Sequence, residues 1–565
     1  MKFLSYLALL CAGSLAQSSS QGSSSGSGSR SSARSSSPSS SSSSVSAANV
    51  DSFMTLTMSK SEDSIVWHIQ AEVGEQLQSL RVDIAQPNLW VLDSDSFPSC
   101  SDEPELTSTT FSESSSATTL TYTVTCQDSG AYDPSLSNRS TDLGLYYNPV
   151  LIDYVSFNGT LFSDYVDILD ISGEDNEYLN DGTLSLSEME FFSVNDSNVV
   201  VGALGLGGVG DSNYKPSILS TLKDLGLIES LSYSMATVTN TTGHIVFGAV
   251  DQSLYTGVLV QYDNLPYAYT GAEVAYQYPI VPLSQVSVSN DKGSSVIVSN
   301  GTVLPVLLDS RTPFLVLPYS YVVALSVQLN AFYSESSESW FVRCAISSVN
   351  AAVSFEFGNL TIDVSVDQLI KPLYDSNGTS VKFEDGSDAC VLRVFPDDSY
   401  GYSVLGTPVL NSMFIAVDNE GNKIAMAQAY NEEYQQRNAR LLSSILGETV
   451  SSQSVDSTYT LDANASVIRS GYIPFAVTNN ITDTDLTLSY NTIITESVFE
   501  QTAVYTSGLI YTGRQLNSTT EDVPTSTDAE SSSVAGALGN HDLQNRGVIL
   551  GMIGTTFVLV LGAFI

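Results

Sequence analysis

The chain has 565 residues, 42% of them hydrophobic, with 20 Lys and Arg against 61 Asp and Glu and a formal net charge of −41. That length suggests about two to four domains with ample apolar content for a core. So acidic a chain repels nucleic acid and anionic membrane surfaces, which excludes nucleic acid as a partner, and it attracts basic peptides; the same charge serves solubility at an acidic working pH.

Residues 1–16 read as a secretory signal: Lys2 supplies the charge, Phe3 to Cys11 the apolar run and Ser14-Leu15-Ala16 the cleavage site. Residues 17–49 are nearly all Ser and Gly and are expected to be disordered, having no apolar area to bury. From residue 50 to 435 short runs of Val, Ile, Leu, Phe and Tyr alternate with Gly, Asn, Asp and Ser clusters, as in Ile65 to Ile69 and His244 to Phe247. That pattern predicts an all-β body with a few short helices. The helices are expected at Pro216 to Leu225, with Pro216 in the first turn and Gly226 as the stop, and at Tyr319 to Leu329.

A further helix is expected at Gln435 to Gly447 within a C-terminal extension, residues 436–515, followed by a Ser/Thr-rich stalk, 516–535. Residues 536–565 combine small residues, a polar spacer and the apolar run Val548 to Ile565, the order of a GPI-attachment signal with Ala535 or Gly536 as the attachment residue. The competing reading, a C-terminal membrane anchor, lacks basic residues after the run. A secreted chain anchored at the plasma membrane or cell wall is the expectation.

Of five cysteines, Cys11 leaves with the signal. The remaining four allow three pairings. The sequence-local one, Cys100–Cys126 with Cys344–Cys390, gives each half one bridge and is the one expected. Asn-x-Ser/Thr glycosylation acceptors occur at Asn138, Asn158, Asn195, Asn240, Asn300, Asn359, Asn377, Asn464, Asn480 and Asn517.

One weak duplication runs through the body. An apolar run ending in Asp occurs at Leu80-Arg81-Val82-Asp83 and again at Val306-Leu307-Leu308-Asp309; an apolar-Gly run occurs at Gly202 to Gly207 and again at Val404-Leu405-Gly406. Two lobes that each present one Asp would bring two carboxylates close enough to share a proton, one acting as base on a water and the other as acid. With three histidines, a Ser/His system or a metal site has little material, and neither a metal nor a cofactor is expected.

The surroundings of both aspartates carry a resemblance. Asp83-Ile84-Ala85-Gln86-Pro87-Asn88-Leu89-Trp90-Val91 resembles the pepsin-family segment Asp-Thr-Gly-Ser-Ser-x-Leu-Trp-Val, and Asp309-Ser310-Arg311-Thr312 resembles Asp-Ser-Gly-Thr. Gly243 to Asp251 with Tyr255 and Gly257, Cys126 with Gly130 to Ser135, and Val404 to Gly406 with Phe414 to Asp418 are similar to further family segments. Together with the Ser-rich ends and acidic body, they resemble the yapsin-like, fungal surface-anchored branch of the aspartic proteases.

The resemblance implies a bilobal, pepsin-like double β-barrel, with an N-lobe at about 50–230, a C-lobe at about 231–435 and a cleft between them. It implies a catalytic dyad of Asp83 and Asp309, braced by Ser310 and Thr312. It also implies peptide substrates, cleaved beside basic residues at acidic pH, and a monomer.

Three substitutions depart from the family pattern. Ile84 replaces a hydroxyl that clamps the loops, and Ala85 and Arg311 replace both loop glycines. The Arg311 cation is expected to pair with both aspartates and hold them ionised, against the shared proton. The flap is also altered: a gap-free alignment puts Ser156 at the flap tyrosine, with Tyr154 the substitute and Gly159 the flap glycine, and a glycan on Asn158 would sit over the cleft. Two functions follow: a weakened aspartic endopeptidase, or an inactive protein of the same fold serving as a peptide binder or wall component.

Overall fold

Val-, Ile- and aromatic-rich runs fold as short strands because branched side chains suit a pleated, half-buried surface. The computed structural model describes residues 53–60, 66–100, 129–147, 157–197, 199, 201–209, 216–268, 274–290, 293–298, 303–334, 339–375, 378–397, 401–430, 465–481, 486–489, 502–506 and 508–512. The architecture is the all-β, bilobal pepsin-like one. Its backbone is an antiparallel run of strands Thr55–Ser59, Thr242–Phe247, Ser232–Thr237, Met413–Asp418, Lys423–Ala429 and Tyr255–Asp263. This run joins segments from both halves of the body, and its inner residues Tyr233, Ile245, Ile415 and Met426 share one core with Val82, Ile84, Leu204 and Leu308.

The duplication seen in the sequence is a duplication in space. Strand Gln76–Asp83 runs parallel to Ala203–Gly205; Arg81 N–H donates to Gly202 O at 2.9 Å and Leu206 N–H to Asp83 O at 2.7 Å. Strand Leu304–Leu308 runs parallel to Val404–Leu405; Leu307 N–H donates to Ser403 O at 3.0 Å and Asp309 N–H to Leu405 O at 3.1 Å. Each aspartate thus leaves its strand pinned beside a glycine-bearing segment. A Cβ on Gly205 would strike the Asn88 backbone, and one on Gly406 the carbonyls of Thr312 and Phe314.

The two expected helices are present as Ile218–Asp224 and Tyr319–Gln328. Pro216 is not in the first turn: Ser217 takes the N-cap, its hydroxyl accepting from Ser220 N–H at 3.4 Å, and Pro216 precedes it. A hydroxyl that satisfies an orphan amide outcompetes a proline that merely lacks one. Gly226, at φ +73°, closes the turn as expected. The expected helix at Gln435 to Gly447 lies outside the described residues.

A disulfide joins Cys344 to Cys390 across a sequence separation of 46 residues. Cys100 is disulfide-bonded as well, while Cys126 lies outside the described residues. Replacing Cys344 and Cys390 together by Ser is expected to cost about 3–4 kcal/mol in a denaturant titration, from the lost constraint on the unfolded chain.

The C-terminal extension adds strands to the body. Ser466–Val467 pairs with Ala249–Val250, Val477–Thr478 with Tyr255–Asp263, Leu488–Ser489 with Tyr267–Ala268 and Leu509–Thr512 with Lys382–Phe383. Its Ile468, Ile473 and Ile510 are buried. No helix among the described residues is long and apolar enough to cross a membrane.

Candidate active site

Asp83 ends the strand Gln76–Asp83, and Asp309 follows the strand Leu304–Leu308. Both side chains are 0% exposed. The loops are tied together by Ser310, whose hydroxyl donates to Val82 O at 2.7 Å and accepts from Ile84 N–H at 3.1 Å. The reciprocal tie is absent at position 84, where Ile84 turns into the apolar core. Thr312 Oγ1 donates to Asp309 Oδ2 at 3.1 Å.

Loss of the loop glycines leaves the backbone donors in place. Ala85 N–H reaches Asp83 Oδ1 at 3.0 Å, joined by Gln86 N–H at 3.2 Å, and Arg311 N–H reaches Asp309 Oδ1 at 2.8 Å. Neither Ala85 nor Arg311 is in the left-handed region, so no glycine is needed there for conformation. What changes is the side chain. Arg311 is 2% exposed and grips Asp309 twice, Nε to Oδ1 at 3.0 Å and Nη2 to Oδ2 at 3.2 Å. The same Nε lies 3.5 Å from Asp83 Oδ1. One guanidinium nitrogen therefore lies within 3.5 Å of an oxygen of each carboxylate.

A second cation reaches the pair. Arg81 is 1% exposed, and its Nη2 lies 3.6 Å from Asp83 Oδ2. Its guanidinium also sits 6.0 Å from the Trp90 ring centroid. Sequence reasoning passed over Arg81, although strand alternation puts residues i and i+2 on one face and so aims positions 81 and 83 together. The matching place in the other lobe, two residues before Asp309, is the apolar Leu307.

Burial pushes the Asp83 carboxyl above the usual carboxylate range, and the charge on Asp309 adds to that; Arg311, Arg81 and Ala85 N–H oppose it without reversing it. Desolvation and the Arg311 and Arg81 cations thus act on Asp83 in opposite senses. Burial likewise raises the Tyr233 phenol, with the Asp83 charge contributing, which places Tyr233 in the same electrostatic neighbourhood. A carboxyl raised in this way binds its proton more tightly folded than unfolded, so stability falls as pH rises through the window above the ordinary value. Acidification from neutral pH is expected to raise the wild-type melting temperature relative to that of Asp83→Asn. Parallel curves in calorimetry would remove Asp83 from this linkage.

The remaining candidates are placed as follows. Strands Thr141–Tyr147 and Phe157–Leu169 form an antiparallel hairpin with Tyr147 opposite Gly159. Tyr154 and Ser156 lie outside the described residues. Gly159 is held by packing, since a Cβ there would sit 2.9 Å from Ser193 O. Asn158 is half-buried and donates to Asp196 Oδ2 at 2.9 Å. Asn138, Asn195, Asn240, Asn359 and Asn480 are exposed. Asn300, Asn377, Asn464, Asn517, Ala535 and Gly536 lie outside the described residues.

Two strand-borne aspartates on duplicated loops, joined by a seryl tie across two all-β lobes, define an aspartic-protease architecture. The chain belongs to the eukaryotic aspartyl protease family, which matches residues 67–429. It is 31% identical over 461 residues to aspartic proteinase yapsin-7 of Saccharomyces cerevisiae, covering 73% of this chain and 75% of that protein. Similarity also extends to aspartic proteinase 3 of the same yeast, at 27% over 371 residues, 62% of this chain and 59% of the relative. A probable aspartic-type endopeptidase, OPSB of Arthroderma benhamiae, is 27% identical over 314 residues, 54% of this chain and 60% of that protein.

Proposed function

We propose that this chain is an aspartic-protease-like protein that binds extended peptides, basic ones by preference, and hydrolyses them poorly or not at all. The observation that carries this reading is Arg311 Nε at 3.0 Å from Asp309 Oδ1 and 3.5 Å from Asp83 Oδ1. Hydrolysis by a dyad requires a water between the carboxylates and acceptor lone pairs to take its proton. A guanidinium is a permanent donor with no acceptor, so it fills that place and consumes those lone pairs. The net charge of −41 supports the preference for basic ligands.

A second reading, a working endopeptidase, is favoured by the raised Asp83 carboxyl beside a charge-paired Asp309, the acid and base a dyad needs. The purified ectodomain, given a peptide with paired basic residues at roughly pH 3–6, where such dyads share a proton, separates the two. The first reading expects binding with turnover little above that of Asp309→Asn. Turnover at the rates ordinary for aspartic proteases, abolished by Asp309→Asn, establishes the second.

Residues 1–16 as a signal and 536–565 as a GPI signal belong to the same proposal, with the body displayed at the cell surface. Deleting Val548 to Ile565 is expected to release the protein into the medium; unchanged location after both that deletion and phospholipase treatment refutes the anchor.

A further inference from the structure

The C-terminal extension comes back to the aspartate loops at residues 486–489. Strand Leu488–Ser489 pairs in parallel with Tyr267–Ala268, and Leu488 N–H donates to Pro266 O at 2.9 Å. It lies against Leu304–Leu308, the strand that delivers Asp309. Leu488, 2% exposed, completes an apolar cluster with Ala85, Leu307, Phe314 and Tyr402, and the partly buried Leu486 packs on the same cluster. Ala85 and Leu307 each stand two residues from an aspartate, so the cluster flanks both members of the pair.

We propose that residues 486–489 are an intramolecular ligand seated in an extended-peptide site beside the aspartates, and that an outside peptide with apolar side chains at alternate positions binds there when the segment lifts off. Adding a strand to a sheet edge supplies main-chain hydrogen bonds, while alternate side chains enter the pockets below. Leu486 and Leu488 have that spacing. Among the described residues the segment is the outer strand of a three-stranded sheet, paired at Tyr267↔Leu488 and Ala268↔Ser489, a short pairing to hold it. Its grip comes from the two leucines and from tethering, which gives a linked segment an effective concentration in the roughly millimolar range. An occupant present in about 99% of molecules weakens any outside peptide about a hundredfold. The inference concerns binding alone and stands whether or not the dyad hydrolyses.

The probe is a fluorescein-labelled synthetic peptide of residues 484–491, followed by anisotropy. The full-length double variant Leu486→Ser/Leu488→Ser is expected to bind it at least about tenfold more tightly than wild type, because its own occupant is weakened. A probe with both leucines replaced by serine is expected not to bind. Equal binding by wild type and variant, or binding indifferent to the leucines, overturns the proposal. So does a variant that loses cooperative melting, since residues 486–489 are then a permanent part of the core. Hydrogen exchange on the wild type decides without any variant: the Leu488 amide is expected to exchange by local opening, faster than the Leu265 amide that donates to Ile280 O at 3.0 Å. Exchange of Leu488 only through global unfolding overturns it.

Discussion

Arg311→Gly is expected to raise turnover of a basic peptide by about 10²–10⁴-fold over wild type, the range that positioned acid–base groups contribute. The change removes the guanidinium from both carboxylates and returns the Asp309 lone pairs to a water. Arg311→Leu removes the cation but keeps bulk there, and it is expected to stay near wild type. That pair of variants separates obstruction from charge. Ala85→Gly removes one methyl from a loop whose N–H already reaches Asp83, so alone it should do little. Arg81→Val in the Arg311→Gly background is expected to add to the gain by removing the Arg81 cation, 3.6 Å from Asp83 Oδ2. A folded Arg311→Gly protein that remains inert with both aspartates intact moves the cause to the segment that joins Thr141–Tyr147 to Phe157–Leu169.

Gly406→Ala is expected to destabilise the protein by more than about 4 kcal/mol, at the exceptional end for a single substitution. The added methyl would meet two backbone carbonyls, Thr312 O and Phe314 O, in the loop that carries Asp309. Backbone cannot step aside as a side chain can, and Thr407 N–H is bonded to the same Thr312 O at 2.8 Å. Gly226→Ala is the control: it shares the chemical change but has open space around it and a strain confined to φ +73°. Denaturant titration of both variants checks the contrast; Gly406 is at φ −86°, so a loss there no larger than at Gly226 would show that the loop absorbs the methyl without the clash.

Much of the site was legible in the sequence. Asp309, Arg311 and Thr312 lie within four residues of one another, and short range fixes what they can touch. The strand–Asp repeat was legible because each lobe must solve the same packing problem with the same local pattern. Arg81 was also within reach, since period-2 alternation assigns it the face of Asp83; the apolar run around it read as core and hid it. The hairpin register Tyr147↔Gly159 was not reachable by a gap-free alignment, because turn length is free while strand pairing is not. Strands such as Ser466–Val467 and Leu488–Ser489 are too short to carry any period. Their pairing is decided by which edges the rest of the fold leaves open.

The buried pairing of Arg81 and Arg311 with Asp83 and Asp309 has an evolutionary consequence. Removing one partner of a buried ion pair costs about 3–5 kcal/mol, because the other charge is left in a medium that cannot solvate it. In this chain, then, folding alone is enough to retain both aspartates across generations, whatever becomes of hydrolysis. Descent toward an inert protein would not erase the two residues by which such proteins are recognised. The reverse path is equally constrained: an aspartate cannot drift away before its arginine does, so a lineage built like this one keeps the outline of a protease and, with it, a short mutational route back to being one.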